Sequence, residues 1–215
     1  MVGLSRQNDY IVHPLLKEDR IYYREYQIKM GRTAAKQNTL VVLPTSLGKT
    51  IIALFSLVKI LEDNPEGKIF VLAPTRPLVL QHFETFQEFL IPEIKCCLFS
   101  SNLSSAERTL ALNDHHIFFS TPQIIQNDIR GGMYSLQGIS QIIFDETHKA
   151  RKKYAYTEVA HTYLDSCPHP KILGLTASPG SDLYRINDLC QTLQIERIIF
   201  RERETADIQK YVHPI

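Results

Sequence analysis

An α/β fold built on a doubly wound, mainly parallel sheet of about seven strands follows from three features of this sequence. Short β-branched and apolar runs alternate with amphipathic helical stretches along the chain. Most of those runs are almost continuously apolar, the pattern of strands covered on both faces. And 215 residues, 44% of them hydrophobic and 22% charged, suffice for one domain with a substantial core.

The elements follow in order. A helix is expected over about residues 22–36, before a first strand, TLVVL (39–43). KTIIALFSLVKILED (49–63) places Ile51, Leu54, Val58 and Leu61 on one helical face. KIFVLA (68–73) is the second strand, and residues 77–90 carry Leu80, Phe83 and Phe86 at helical spacing. In the third strand, KCCLF (95–99), Cys96 and Cys97 point to opposite faces. The helix from Ser104 to Leu112 opens with a capping box, Ser104 with Glu107. HHIFFS (115–120), SQIIFD (140–145), KILGLT (171–176) and ERIIF (196–200) complete the strands, with helices over 122–129, 154–166 and 182–193 between them. The tail, RERETADIQKYVHPI, has no clear period and reads as a linker or an edge. Right-handed crossovers then put ligands beyond the carboxyl ends of the strands.

Composition narrows the partners. A formal net charge of +1 announces no polyanion or membrane surface, so any phosphate-binding surface must be local. Four cysteines without C-x-x-C spacing read as buried, reduced thiols of an intracellular protein. No apolar run approaches ~18 residues, and MVGLSRQNDY lacks the apolar region of a signal peptide.

Three strand ends carry chemistry. LPTSLGKT (43–50) follows a strand and opens a helix, where backbone N–H groups attract an anion. Thr45, Ser46, Leu47 and Gly48 form the bend; Lys49 should reach β- and γ-phosphates, and Thr50 should offer its hydroxyl to Mg²⁺. GKT alone fits a plain strand-to-helix turn equally well; the strand–loop–helix context favours phosphate. In IIFDETHKA (142–150) an apolar strand ends in Asp145, placed to hold Mg²⁺, and Glu146, placed to deprotonate an attacking water. Acids after strands are common, and it is GKT upstream that gives the pair meaning. In GLTASPG (174–180), Thr176 and Ser178 can hydrogen-bond the acids of a neighbouring strand, or simply cap the next helix.

In this order the three motifs resemble motifs I, II and III of a superfamily-two helicase. LAPTRPLVLQH (72–82) resembles motif Ia, STPQ (120–123) motif Ib, and YYREYQ (22–27) the adenine-sensing Q-type motif. More narrowly, APTRPLVLQH, TPQIIQND, YAYTEVA and GLTASPG together resemble the archaeal Hef helicases and their eukaryotic relatives of the Fanconi anaemia M type, over about residues 15–215. The resemblance implies a RecA-like P-loop fold binding ATP and Mg²⁺. It implies adenine contacts from Gln27 and Arg24, contacts to a nucleic-acid backbone from Pro74, Thr75, Arg76, Thr121 and Pro122, and coupling through His148, Thr176 and Ser178. Gly131 and Gly132 fit close approach of a strand backbone, and a plain turn equally. Three departures stand out. Ser46 replaces a glycine, at a cost of ~1–2 kcal/mol if the position needs positive φ, so Ser46→Gly is expected to tighten nucleotide binding. Thr147 replaces an alanine, with little effect expected. Lys152 and Lys153 replace Gly-Asn; with Lys149 and Arg151 they read as a solvated helix start or an added nucleic-acid contact.

The expected organisation is an N-terminal helical segment (1–37), a RecA-like ATP-binding domain (38–201) and a linker or edge (202–215) towards a second RecA-like domain. About 35 residues after TASPG are too few for that second domain, which would supply an arginine finger. The expected function is the N-terminal motor of an ATP-dependent DNA helicase or translocase on forked or branched DNA, nearly inactive in hydrolysis alone. The alternatives are an RNA-directed helicase of the same superfamily and a catalytically silent scaffold. A transporter ATPase is disfavoured, since LSGGQ is absent.

Overall fold

The computed structural model describes residues 3–149, 155–177 and 183–211. A hairpin, β1 (Ser5–Gln7) and β2 (Tyr10–Val12), leads to helix α1 (Glu25–Ala34). Then β3 (Thr39–Val42), α2 (Lys49–Asp63), β4 (Lys68–Leu72), α3 (Arg76–Phe89), β5 (Cys96–Leu98), α4 (Ser105–Ala111), β6 (Ile117–Ser120) and α5 (Pro122–Arg130) alternate. After them come β7 (Ile139–Phe144), a 3-10 turn (Thr147–Lys149), α6 (Ala155–Ser166), β8 (Ile172–Thr176), α7 (Leu183–Thr192), β9 (Arg197–Phe200) and α8 (Ala206–Gln209).

Strands β3 to β9 form one parallel sheet of seven in the order β5-β6-β4-β7-β8-β3-β9. This is the expected α/β architecture, with every expected strand present. Hydrophobic burial is split by the sheet into two cores. Residues of α1, α2 and α3, with Ile208 of α8, pack on one face against Val41, Ile69, Val71 and Ile143. Residues of α5, α6 and α7 pack on the other against Leu40, Phe70, Phe118 and Ile142. Cys96 faces the first core and Cys97 the second, as alternation requires. All four cysteines are free but only partly buried, a correction to the expectation of buried thiols; burial still pushes the Cys96 thiol up to about 12.

Several local features differ from expectation. The β1–β2 hairpin was not anticipated; its strands are three residues each, and β1 is exposed. In α3 the buried positions are Val79, His82 and Phe86, whereas Leu80 is 43% exposed. Phe86 is buried and Phe83 packs against the first core as expected, while Val79 and His82 take the buried place expected for Leu80. In α2 nearly every side from Ile52 to Leu61 is buried, because α1 lies over the face turned away from the sheet, while Ile51 is only half-buried. A Cβ on Gly31 would lie 2.6 Å from Cβ of Phe55, so the close approach of the two helices requires glycine there. A buried polar link fixes α1 further: Gln141 of β7 donates to the Ala34 carbonyl (2.9 Å) and accepts from Ser56 of α2 (3.0 Å). The tail folds back through α8, where Ile208 is fully buried against the first core.

Candidate functional site

Because the seven strands are parallel, all their carboxyl ends share one rim. Backbone bonds carry the register one residue past the strands: Leu43 N donates to Thr176 O (3.0 Å), Asp145 N to Leu72 O (2.8 Å), Ala73 N to Ser120 O (3.1 Å) and Arg201 N to Val42 O (3.1 Å). The loop at 44–48 therefore leaves β3 on the same rim as the acids leaving β7, with Thr176 on β8 between them. Neighbouring strands lie ~4.8 Å apart, so β3 and β7 are separated by ~10 Å.

The loop shape comes from two left-handed residues. Gly48, the residue before α2, has φ 83°, and Ser46 has φ 72°. A Cβ on Gly48 would sit 2.1 Å from Nε2 of Gln27, so glycine is needed for space as well as for conformation. Ser46 occupies the strained region that makes serine costly. Thr45 and Ser46 are exposed, Leu47 is buried, and Lys49 and Thr50 open α2 half-buried. Lys49 Nζ donates to the Leu43 carbonyl at 3.0 Å, curled across its own loop. From α1, Tyr26 Oη (2.8 Å) and Gln27 Nε2 (3.2 Å) both donate to the Leu47 carbonyl. Gln27 is 2% exposed, and Arg24 precedes the helix in extended conformation, half-buried. The two expected adenine contacts thus sit at the start of a helix that grips the loop.

At the end of β7, Asp145 is 7% exposed and its Oδ2 lies 2.8 Å from His82 Nε2. Its carbonyl accepts from Tyr156 Oη at 2.7 Å, and the same hydroxyl reaches Leu72 O at 3.2 Å. Glu146 follows with φ 51°, a second strained residue on this rim. His148 Nδ1 lies 3.2 Å from Glu146 Oε2 and 3.1 Å from Thr176 Oγ1. This single imidazole joins the acid of β7 to the hydroxyl of β8. Ser178, Arg151, Lys152 and Lys153 lie outside the described residues.

The other half of the rim, β5-β6-β4, carries the expected backbone contacts. Thr75 precedes α3 and Thr121 precedes α5, both extended and neither capping its helix through its side chain. Pro74 is half-buried and Arg76 exposed; Arg76 Nη2 donates to Ser101 Oγ at 2.9 Å. Pro122 is the buried first residue of α5. Between the two helix starts lies a cavity of about 200 Å³, lined by Arg76, Leu80, Leu98, Ser101, Asn102 and Thr121 among others. Gly132 is not brought together with them. It follows the nine-residue α5 at the far end, ~13 Å along the helix, has φ 66°, and a Cβ there would meet nothing within 4 Å.

Known proteins share this fold. The model of the family "DEAD/DEAH box helicase" matches residues 24–186, from the start of α1 into α7. This chain belongs to the DEAD/DEAH box helicases. Its fold superposes on the helicase domain of Pyrococcus furiosus Hef with a TM-score of 0.88 and 39% identity, covering 94% of this helicase chain and 43% of that one. Among curated relatives it is 38% identical over 204 residues to a putative ATP-dependent RNA helicase of Methanocaldococcus jannaschii (94% of this chain, 26% of that one). It is 36% identical over 193 residues to the ATP-dependent DNA helicase fml1 of Schizosaccharomyces pombe (89% and 23%). It is 35% identical over 191 residues to the mouse Fanconi anemia group M protein homolog (88% and 10%). The chain thus spans about a quarter or less of these curated relatives. Among the described residues no helix of the helicase chain is long and apolar enough to cross a membrane.

The candidate site contains three residues that sequence reasoning missed or misjudged. His82 holds Asp145 from α3; its position among Val79 and Phe86 on the buried stripe was the available signal. Thr147, expected to matter little, is fully buried, and its hydroxyl spans the carbonyls of Phe144 (3.0 Å) and Leu175 (2.8 Å). It fastens the turn bearing Glu146 and His148 to β8. Finally, Arg203 from the tail reaches the loop, its Nη2 3.3 Å from Ser46 Oγ.

Proposed function

We propose that this chain is the N-terminal motor domain of an ATP-dependent DNA helicase or translocase acting on forked or branched DNA. Its loop 43–50 binds ATP, and hydrolysis requires a second RecA-like domain. The observation that carries this reading is the shared rim: Lys49 and Thr50 at β3, Asp145 and Glu146 at β7, and Thr176 at β8 between them. The residues on this rim fit the nucleotide and its metal. The loop has the left-handed residues of an anion cradle, Gln27 leaves no room for a side chain at Gly48, and a hydroxyl and a buried carboxylate offer the hard oxygens that Mg²⁺ takes.

In this reading Lys49 leaves the Leu43 carbonyl to meet the β- and γ-phosphates, and Thr50 and Asp145 hold Mg²⁺. Magnesium, when bound, neutralises charge developing on the transferred phosphoryl group. His82 fixes the Asp145 carboxylate by one oxygen. Glu146 orients the attacking water and takes its proton on a carboxylate oxygen. His148, in contact with both Glu146 and Thr176, passes the state of the site to its neighbours, with Ser178 beside it in the motif. Arg24 and Gln27 contact adenine. Pro74, Thr75, Arg76, Thr121 and Pro122 hold one strand by its backbone, so sequence preference is slight and binding falls steeply with salt.

The domain division follows: the segment 1–37 senses adenine, 38–201 binds ATP, and 202–215 leads towards the second domain. A second reading, an RNA-directed motor, is favoured by the name of the Methanocaldococcus jannaschii relative, whereas fml1 is named a DNA helicase. The test is a titration of this chain with a fluorescent ATP analogue and Mg²⁺, followed by competition between DNA and RNA forks of one sequence. Binding abolished in Lys49→Ala, negligible turnover, and preference for the DNA fork are expected. Brisk DNA-stimulated turnover by this polypeptide would contradict the two-domain requirement, and preference for the RNA fork would reverse the choice of substrate.

A further inference from the structure

The tail beyond β9 is built as a strap that passes the mouth of the loop at 43–50 and ends on α1. β9 pairs with β3, and the pairing continues through Arg201 N to the carbonyl of Val42, the last residue of β3. Arg201 also pairs with Asp207 (3.1 Å), and Glu202 N donates to Thr205 Oγ1 (2.9 Å), closing a tight turn. Beyond it, α8 and Tyr211 are pinned to α1. Ile208 is buried in the core, Glu25 N donates to Tyr211 Oη (3.2 Å), and the Tyr211 ring lies 5.7 Å from that of Tyr26. Lys210 pairs with Glu25 at 3.5 Å. Arg203 stands at the tip of the turn between these anchors, exposed, with Nη2 on Ser46 Oγ. Among the described residues its guanidinium has no carboxylate partner.

A guanidinium held at the mouth of a phosphate cradle, without a compensating acid, has one natural ligand class: phosphate oxygens. We propose that Arg203 is a nucleotide-binding residue, a cation delivered by the strap to the phosphates of the nucleotide in loop 43–50. This rests on the reading that the loop binds a nucleotide. Ser46 Oγ is its neighbour in the nucleotide-free chain, and on nucleotide binding the arginine shifts from that hydroxyl to a charged acceptor. The strap's two anchors, β3 and α1, are also the two elements that shape the loop, so Arg203 moves with the site it serves.

The experiment is a double-mutant cycle on the whole chain, titrating Mg-ADP and following melting without nucleotide. Because Arg203 is exposed, Arg203→Ala is expected to weaken binding about three- to fivefold at low salt and less at high salt, with the melting temperature unchanged. Arg203→Lys should recover part of the loss. In a Ser46→Gly background Arg203→Ala should cost a similar factor, because the charge acts on the nucleotide and not through the serine. Unchanged or tighter binding in Arg203→Ala overturns the proposal, as does a loss that disappears in the Ser46→Gly background. Lys49→Ala separates the two readings. If it too leaves binding intact, the nucleotide reading itself fails; if it abolishes binding while Arg203→Ala is silent, only the role of Arg203 fails.

Discussion

Replacing Thr147 by alanine tests how the turn bearing Glu146 and His148 is held. The hydroxyl has a single proton, shared between carbonyls at 3.0 and 2.8 Å, so it contributes one net hydrogen bond, about 1 kcal/mol. The methyl is tightly packed. A Cβ built on Gly174 of β8 would lie only 3.2 Å from it and 3.1 Å from the hydroxyl, which means the space is already filled. Losing one buried methyl costs about 1 kcal/mol with its residual cavity. Thr147→Ala should therefore destabilise by about 2 kcal/mol, which for a chain of this size lowers the melting temperature by roughly 4–8 °C. Differential scanning calorimetry of three variants divides the effect. Thr147→Ser keeps the hydrogen bond and loses the methyl, and Thr147→Val does the reverse, so each should show about half the shift. An alanine variant melting within about 1 °C of the parent would refute the reasoning, since the hydroxyl bridge would then contribute nothing.

Three more outcomes follow. Burial holds the His13 imidazole below its ordinary pKa, opposed by Glu62 and aided by Lys59, and its Nε2 is buried without a partner; His116 is lowered in the same way. The folded chain thus binds fewer protons than the unfolded one, so stability from these groups is full above pH ~6.5 and is lost as pH falls through their folded values. Melting scans from pH 7.5 to 5 should fall less steeply in His13→Asn, and identical slopes would exclude His13 as a source. The Arg108–Asp128 pair, 2.6 Å apart with Asp128 1% exposed, joins α4 to α5; Asp128→Ala strands a buried guanidinium and should cost about 3–5 kcal/mol in urea unfolding, against under 1 if the pair is merely peripheral. Gly48→Ala forces a Cβ against Gln27 at positive φ, so it should lose Mg-ADP binding in a titration; retained affinity would mean the loop has another shape.

The sheet was legible because its strands are unbroken β-branched and apolar runs, and the strand–loop–helix at 39–63 because GKT opens a helix a few residues after one. What escaped the sequence was mostly pairing between distant residues. His82 lies one position off the stripe read for α3, and only the fold puts Asp145, 63 positions away, beside it. Thr147 looks neutral until β8 brings the Leu175 carbonyl to its hydroxyl. The strap has four helical residues and a single buried aliphatic side chain, Ile208, too little for a period to register. Leu80 misled the reading of α3 because spacing alone does not say which of two adjacent stripes faces the core. Gly132 makes a related point: its place in the chain, just after α5, says nothing of how far from Thr121 that helix carries it.

The account stands on one meeting point, a divalent ion shared between the hydroxyl of Thr50 and the carboxylate of Asp145. Crystals of the chain grown with Mn²⁺ and a non-hydrolysable ATP analogue, measured for anomalous scattering, report it directly. A single manganese peak coordinated by Thr50 Oγ1 and by Asp145, directly or through one water, with Lys49 turned from the Leu43 carbonyl to the phosphates, is the expected result. A peak elsewhere, or a nucleotide bound away from residues 43–50, would contradict it.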